Sequence, residues 1–381
     1  MSSPQSWDIF CAVVDNYGDI GVCWRLARQL AAEHGFPVRL WVDDLASLRQ
    51  ICPDLDMARA EQSVRGVEVR QWKEPFPAVE PANVVIEAFG CELPAAYVEA
   101  MAAQPHQPVW INLEYLSAES WVEGCHGLPS PHPRLPLTKY FFFPGFAAGT
   151  GGLLAERDLL ARRRAFRNDA QAMRAFWQSL GLLPPQAGEC RISLFGYENA
   201  AVPGLLEAWS RESAPVACLV PEGRLVGDVA GFFGRGKAVA GDVFRRGALA
   251  VHVMPFLAQE GYDQLLWACD CNFVRGEDSF VRAQWAGRPF AWHIYPQDED
   301  AHWVKLEAFL DRYCTGLSGD AADAVRAFWR AWNRGEGAGE AWGAFWRQRE
   351  VLERHGVRWA DELLGHGDLV ANLVQFCKKK L

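Results

Sequence analysis

No stretch of this chain approaches the roughly 20 consecutive apolar residues that a helix needs to cross a bilayer, which argues against a membrane protein. The opening segment, MSSPQSWDIFCAVV, lacks a basic n-region followed by an apolar run and a small-residue cleavage site. The expected location is therefore the cytoplasm. Eleven cysteines are present but no CxxC is, and the only close pair is Cys269 and Cys271. Cys11, Cys23, Cys190 and Cys218 sit within apolar, strand- or helix-like segments, so free buried thiols in a reducing compartment fit better than a disulfide framework. The nine histidines form no HExxH or HxxxH cluster, so no metal is expected. A long basic run is missing as well. With a formal charge of −9 and a pI near 5.6 the chain is a poor candidate for nucleic acid. That acidity fits plain solubility, and it can also steer a basic protein partner.

What is present reads as a globular α/β chain. At 381 residues it is long for one core and comfortable for two domains. In the first third, strands are expected over Trp7 to Val14, Pro37 to Asp44, Val64 to Trp72, Asn83 to Gly90 and Pro108 to Leu116. Ile20, Cys23, Ala27, Leu30 and Ala31 recur at helical spacing until Gly35 stops the helix. A second helical stretch, CELPAAYVEAMAA, follows Gly90. The glycines of PGFAAGTGGLLAERD mark a break between domains. Beyond it one charged amphipathic helix is expected from Arg162 to Leu180. Strands then restart at Arg191 to Asn199, Pro215 to Pro221, Leu249 to Phe256, Cys271 to Ser279 and Pro289 to Pro296. The rest is mostly helical and rich in tryptophan, which reads as core. Two parallel α/β halves with a cleft between them is the expected architecture. Ligands of such sheets sit beyond the carboxyl ends of strands.

Two strand-to-helix loops carry unusual polar residues. In RGEDSF, Arg275 supplies a permanent cation, and Ser279 with the helix amides can hold a diphosphate. Asp278 or Ser279 can equally be a plain helix cap. Glu277 would be repelled by a phosphate unless it binds sugar hydroxyls or does proton chemistry. Phe195, Tyr197, Phe256 and Gln259 follow neighbouring strands, where Phe256 with Gln259 can offer a base both a stacking face and an amide. The alternative is that both phenylalanines are core. The other loop, DNYGDIG, has only Gly18 and Gly21 where a dinucleotide turn reads GxGxxG, and Asp15 and Asp19 oppose phosphate. They suit a cationic ligand, a metal or proton abstraction. Alternatively, Asp19 is the helix cap and Asp15 closes an Asx turn.

These residues also carry a resemblance. The blocks VVDNYGDIGVCWRLARQLA, SLFGYEN and MPFLAQEGYDQLLWACDCNFVRGEDSFVRAQWAGRPFAWHIYPQ, with the tryptophan-rich tail, resemble the bacterial protein-arginine rhamnosyltransferases that modify elongation factor P, the EarP family. The likeness runs over essentially the whole chain. It implies an α/β GT-B glycosyltransferase fold with two Rossmann-like domains facing across a cleft. The acceptor-side domain would span 1–150, the donor domain 151–359, and a final helix, about 360–381, would cross back to the first. It implies TDP-β-L-rhamnose as donor, an arginine on the N-terminal domain of elongation factor P as acceptor, inversion at the anomeric centre and no metal. The family's catalytic aspartate falls on Asp19, its companion on Asp15 and its catalytic glutamate on Glu277. Donor contacts fall on Phe195, Tyr197, Phe256, Gln259, Arg275, Asp278 and Ser279, with Tyr17, Gly18 and Gly21 supporting the acidic loop.

Competing readings are an inverting GT-B transferase acting on a sugar or lipid hydroxyl, a nicotinamide-dependent dehydrogenase, and a non-catalytic nucleotide-sugar-binding protein. The missing GxGxxG opposes the dehydrogenase. Three acids, Asp15, Asp19 and Glu277, are more than a binding relic needs.

Overall fold

The computed structural model describes residues 5–14, 17–297 and 300–381. The chain divides into two compact units, Met1–Arg157 with Leu363–Leu381, and Asp158–Glu362.

Short β-branched and aromatic runs build the sheet of the first unit. Its strands are β1 (Trp7–Cys11), β2 (Val38–Val42), β3 (Glu61–Val64), β4 (Val67–Gln71), β5 (Val84–Ala88), β6 (Val109–Leu113), β7 (Pro129–Pro131) and β8 (Thr138–Phe142). Their order is β3-β4-β2-β1-β5-β6-β8-β7. The interior pairs are parallel, and only the edge strands β3 and β7 run antiparallel to their neighbours. β1, β5 and β6 are buried along their whole length, as strands covered on both faces must be.

Three local expectations are corrected. Val64 to Trp72 is not one strand but part of a hairpin. Arg65 and Gly66 both take positive φ (50° and 82°), which turns β3 into β4. Two left-handed central residues match the twist of a tight hairpin. The helix expected right after Gly90 starts only at Ala95, with Pro94 as its cap residue. A proline disfavours helix at the residue before it, so the preceding residues stay out. The single helix expected from Arg162 to Leu180 is two, Leu159–Asn168 and Ala170–Ser179. Between them Asp169 is extended, and its carboxylate accepts the amides of Gln171 and Ala172. A good N-cap outweighs a continuous apolar period.

The chain's last segment belongs to the first unit. Leu369 N–H donates to Leu153 O at 2.9 Å, and Gln29 Nε2 donates to Asp368 Oδ1 at 3.1 Å. Phe376 of the helix Leu369–Lys378 packs edge-on against Tyr140 and Phe142.

The second unit holds β9 (Cys190–Leu194), β10 (Val216–Pro221), β11 (Val243–Arg246), β12 (Leu249–Met254), β13 (Cys271–Arg275) and β14 (Phe290–His293), in the order β11-β12-β10-β9-β13-β14. All pairs are parallel except that of edge strand β11 with β12. Trp329, Trp332 and Trp342 of the tail are core, as their helical spacing implies, and Trp346 is half-buried. Trp332 meets Phe273 of β13 at 5.0 Å between ring centroids, and Trp342 meets Trp209 at 5.4 Å. Buried Trp329 donates Nε1–H to Phe290 O at 2.9 Å, so its polar edge is satisfied within the core. Among the described residues no helix is long and apolar enough to cross a membrane.

Candidate active site

In the second unit the strand β13 ends in Arg275, and Gly276 turns the chain with φ 59°, a left-handed value that a β-carbon resists. Trp292 of β14 donates Nε1–H to Gly276 O at 2.9 Å, and its ring stacks on Phe280 at 3.9 Å. These contacts set where the helix Asp278–Ala286 begins. A buried ion pair sets its orientation: Arg282 Nε and Nη2 reach the two oxygens of Asp263 at 2.9 and 2.6 Å. Asp263 lies on the neighbouring helix Gln259–Ala268.

The plain capping alternative for this loop does not hold. The cap residue is Glu277, and no side chain caps the helix. Ser279 instead turns back on the strand, where its hydroxyl accepts the Arg275 amide at 3.1 Å and donates to the Arg275 carbonyl. Asp278 accepts from Gln259 Nε2 at 3.3 Å, which ties the start of the helix after β13 to the start of the helix after β12.

The Arg275 guanidinium is held between two rings. Its Cζ lies 4.8 Å from the centroid of Phe195 and 4.6 Å from that of Tyr197. Both rings follow β9 and both are buried. Phe256 is half-buried and edge-on to Phe195 at 6.4 Å. The structure therefore brings Phe195, Tyr197, Phe256, Gln259, Arg275, Asp278 and Ser279 together at the carboxyl ends of β9, β12 and β13, with Glu277 on the same loop. An arginine stacked on two aromatic faces keeps its planar fork oriented for an anion.

Three supporting residues escaped the sequence reading: Tyr262, Trp292 and His293. Tyr262 lies under Phe195 at 5.8 Å. His293 Nδ1 accepts the Tyr197 amide at 3.3 Å, and its ring packs edge-on to Tyr197 at 5.3 Å. Gly196 makes this approach possible, because a β-carbon there would lie 2.7 Å from Leu225 Cδ1 and 3.3 Å from His293 Nδ1. Each missed residue lies within the long block quoted above, but no spacing rule marks a support that acts through tertiary contact.

Burial first, and then the neighbouring Arg275 and His302, push His293 down to about 3 from its ordinary 6.5. The imidazole thus stays neutral beside Arg275. As the pH falls, the unfolded chain takes up this proton before the folded one does. The stability at stake is fully present above pH 6.5 and is lost as the pH drops towards 3. Between pH 7 and pH 5 this residue alone is expected to remove about 2 kcal/mol. Urea unfolding at both pH values should show a shallower decline for His293→Gln, which keeps an acceptor for Tyr197. Equal declines in the two proteins would refute the assignment.

In the first unit, β1 runs through a loop into the helix Gly18–His34. Tyr17 is the cap residue, Gly18 opens the helix, and the Gly21 amide donates to Tyr17 O at 2.9 Å. Asp19 is therefore not the cap residue. It is buried in the first turn, and its Oδ2 accepts the Val14 amide at 2.9 Å. The loop is also fastened by the Val13 amide to Asp43 Oδ1 at 3.0 Å. A carboxylate in the first turn is favoured by the helix dipole. Asp15 lies outside the described residues. The eleven cysteines are free thiols, and among the described residues no three His, Cys, Asp or Glu cluster as a metal site would require.

Two α/β units, each built on a mainly parallel sheet flanked by helices, give the chain the architecture of the GT-B glycosyltransferases. A solved glycosyltransferase from Rickettsia africae, only 8% identical, shares this fold over 99% of this chain and 98% of its own, with a TM-score of 0.53. The family model described as Elongation-Factor P (EF-P) rhamnosyltransferase EarP matches residues 7–378, and the chain belongs to that family. It is similar to the protein-arginine rhamnosyltransferase of Pseudomonas putida, 56% identical over 99% of both chains. The enzyme of that name from Pseudomonas aeruginosa is 55% identical over 97% of this chain and 98% of its own. A solved structure described as the structural basis for EarP-mediated arginine glycosylation of translation elongation factor EF-P is 40% identical. It covers 99% of this chain and 100% of its own, with a TM-score of 0.72.

Proposed function

We propose that this cytoplasmic enzyme transfers L-rhamnose from TDP-β-L-rhamnose to one arginine side chain on the N-terminal domain of elongation factor P, with inversion and without a metal ion. The observation that carries this reading is the full-length likeness to enzymes named protein-arginine rhamnosyltransferases. The stacked Arg275 supports the donor half of it.

The chemistry follows from the groups. A guanidinium has a pKa above about 12 and is a poor nucleophile while protonated. Asp19 accepts a proton from one guanidino nitrogen as that nitrogen bonds to the anomeric carbon, and Asp15 orients the guanidinium by a charge-assisted hydrogen bond. The bond from the anomeric carbon to the diphosphate oxygen breaks on the opposite face, and TDP leaves with the electron pair. Arg275 and the amino end of the helix Asp278–Ala286 stabilise the charge that grows on the diphosphate, which supplies the positive charge a metal would otherwise bring. Phe256 and Gln259 receive the base. The place of Glu277 on the donor loop supports a role at the rhamnose.

The test is a donor panel of TDP-rhamnose, TDP-glucose and UDP-glucose with purified elongation factor P, read by mass spectrometry of the arginine peptide. Rhamnosylated arginine from TDP-rhamnose alone, undiminished by EDTA and α-configured by NMR, is the expected result. Modification of another residue, or silence with TDP-rhamnose, would sink the proposal.

A further inference from the structure

The carboxyl ends of β1, β5 and β6 are neighbours in the sheet of the first unit, because these strands pair in that order. Asp19 lies in the first turn of the helix that follows β1. The loop after β5 begins with Phe89, and the loop after β6 carries Glu114 and Tyr115. The loop after β5 touches β1 itself: the Cys91 thiol donates to Phe10 O at 3.4 Å.

Phe89 has an unusual backbone. Its φ is 57°, and Gly90 follows with φ 66°. A bulky residue in the left-handed region is an outlier that persists only where the surroundings hold it, and such residues cluster at functional sites. The Phe89 amide donates to Leu113 O at 2.7 Å, which pins the turn to β6. The outcome is a ring pair: Phe89 stacks on Tyr115 with centroids 4.6 Å apart and planes 21° apart. Both rings are half-buried, so this pair is not sealed into the core. At the end of β6, buried Asn112 donates Nδ2–H to Glu114 Oε1 at 2.5 Å, and the Glu114 amide donates to Phe142 O at 3.0 Å. The carboxylate is thereby oriented at the same end of the sheet as the rings.

A ring pair and an oriented carboxylate contributed by consecutive residues, Tyr115 and Glu114, offer two groups suited to a planar cation. A guanidinium is delocalised and weakly hydrated, stacks on rings and takes a carboxylate through two parallel N–H bonds, none of which an ammonium reproduces. We propose that Phe89, Tyr115 and Glu114 bind the acceptor guanidinium and select arginine over lysine. This rests on the reading of the substrate as a protein arginine.

The variants Phe89→Leu, Tyr115→Leu and Glu114→Gln keep a β-carbon and similar volume, so the backbone at Phe89 is not relieved. Each is expected to raise the KM for elongation factor P about tenfold, with the KM for the donor unchanged. Tyr115→Phe should retain the wild-type KM. Elongation factor P with its acceptor arginine replaced by alanine should bind the wild type and the three variants equally. Equal weakening towards both acceptors would mean that the residues serve the fold or general docking, and would overturn the inference. So would an unchanged KM in an enzyme that rhamnosylates elongation factor P normally. If the wild type does not modify elongation factor P at all, the functional reading fails by itself. Ethylguanidinium titrated against wild type and Phe89→Leu by NMR then decides the guanidinium site: shifts lost in the variant support it, and equal shifts remove it.

Discussion

Asp19→Asn is expected to slow rhamnosyl transfer by a factor of about 10² to 10⁴ while TDP-rhamnose affinity and melting temperature stay as in the wild type. The substitution is chosen for what it preserves. Asp19 Oδ2 accepts the Val14 amide, and an asparagine oxygen can accept it equally well. The Val14 contact is therefore kept, while the charge and the proton-accepting capacity are lost. A single-turnover rate with saturating elongation factor P reads the chemical step, and calorimetry with the donor reads binding. Transfer at the wild-type rate would end the assignment of Asp19 as base. Loss of donor affinity together with melting temperature would show that the side chain matters to the fold and not to the proton.

Arg275→Ala is expected to weaken TDP binding by roughly 30-fold to several thousand-fold, the range for removing one partner of a buried charge pair, about 2 to 5 kcal/mol. Arg275→Lys should rescue little of this. The guanidinium lies 4.8 and 4.6 Å from two ring centroids, and a lysine ammonium brings a point charge where a flat fork is stacked. Because Arg275 is itself buried, a loss of packing has to be separated from a loss of phosphate contact. Thymidine, which lacks the diphosphate, makes that separation. Its affinity should be the same in Arg275→Ala and wild type. If thymidine and TDP weaken in equal measure, Arg275 is a structural support for Phe195 and Tyr197, and the diphosphate assignment falls.

The two expectations differ in how far the residues announced them. The acids in DNYGDIG stand out because a strand, a turn and an apolar helical period bracket them. The Gly18–His34 helix was readable from Ile20 to Gly35, and β1, β5 and β6 from buried apolar runs. The edge strands β7 and β11, and β8 next to β7, leave no strand signal in the sequence. β8 is half-buried along most of its length and β11 is exposed nearly throughout, so neither shows a clean alternation, and only pairing with a neighbour makes them strands. The break at Asp169 was hidden by an apolar period that continues across it. At the donor loop the residue set was legible, but its arrangement was not. Phe195 and Tyr197 suggested faces for a base, and in the fold they flank a guanidinium.

By itself the sequence determined the alternation of strands and helices in both halves, the acid where phosphate would otherwise sit, and the family. Those properties are local or carried by long blocks of matching residues. Only the tertiary structure decided that Asp19 reaches back to Val14, that Arg275 is stacked between two rings, and that a neutral His293 supports Tyr197. It alone decided that Phe89 and Tyr115 meet at neighbouring strand ends. Apart from the short reach of Asp19, these contacts join residues tens of positions apart, and helical or strand periodicity carries no information over such separations. Sheet order and the burial of each side chain choose the partners, and both are properties of the folded chain as a whole.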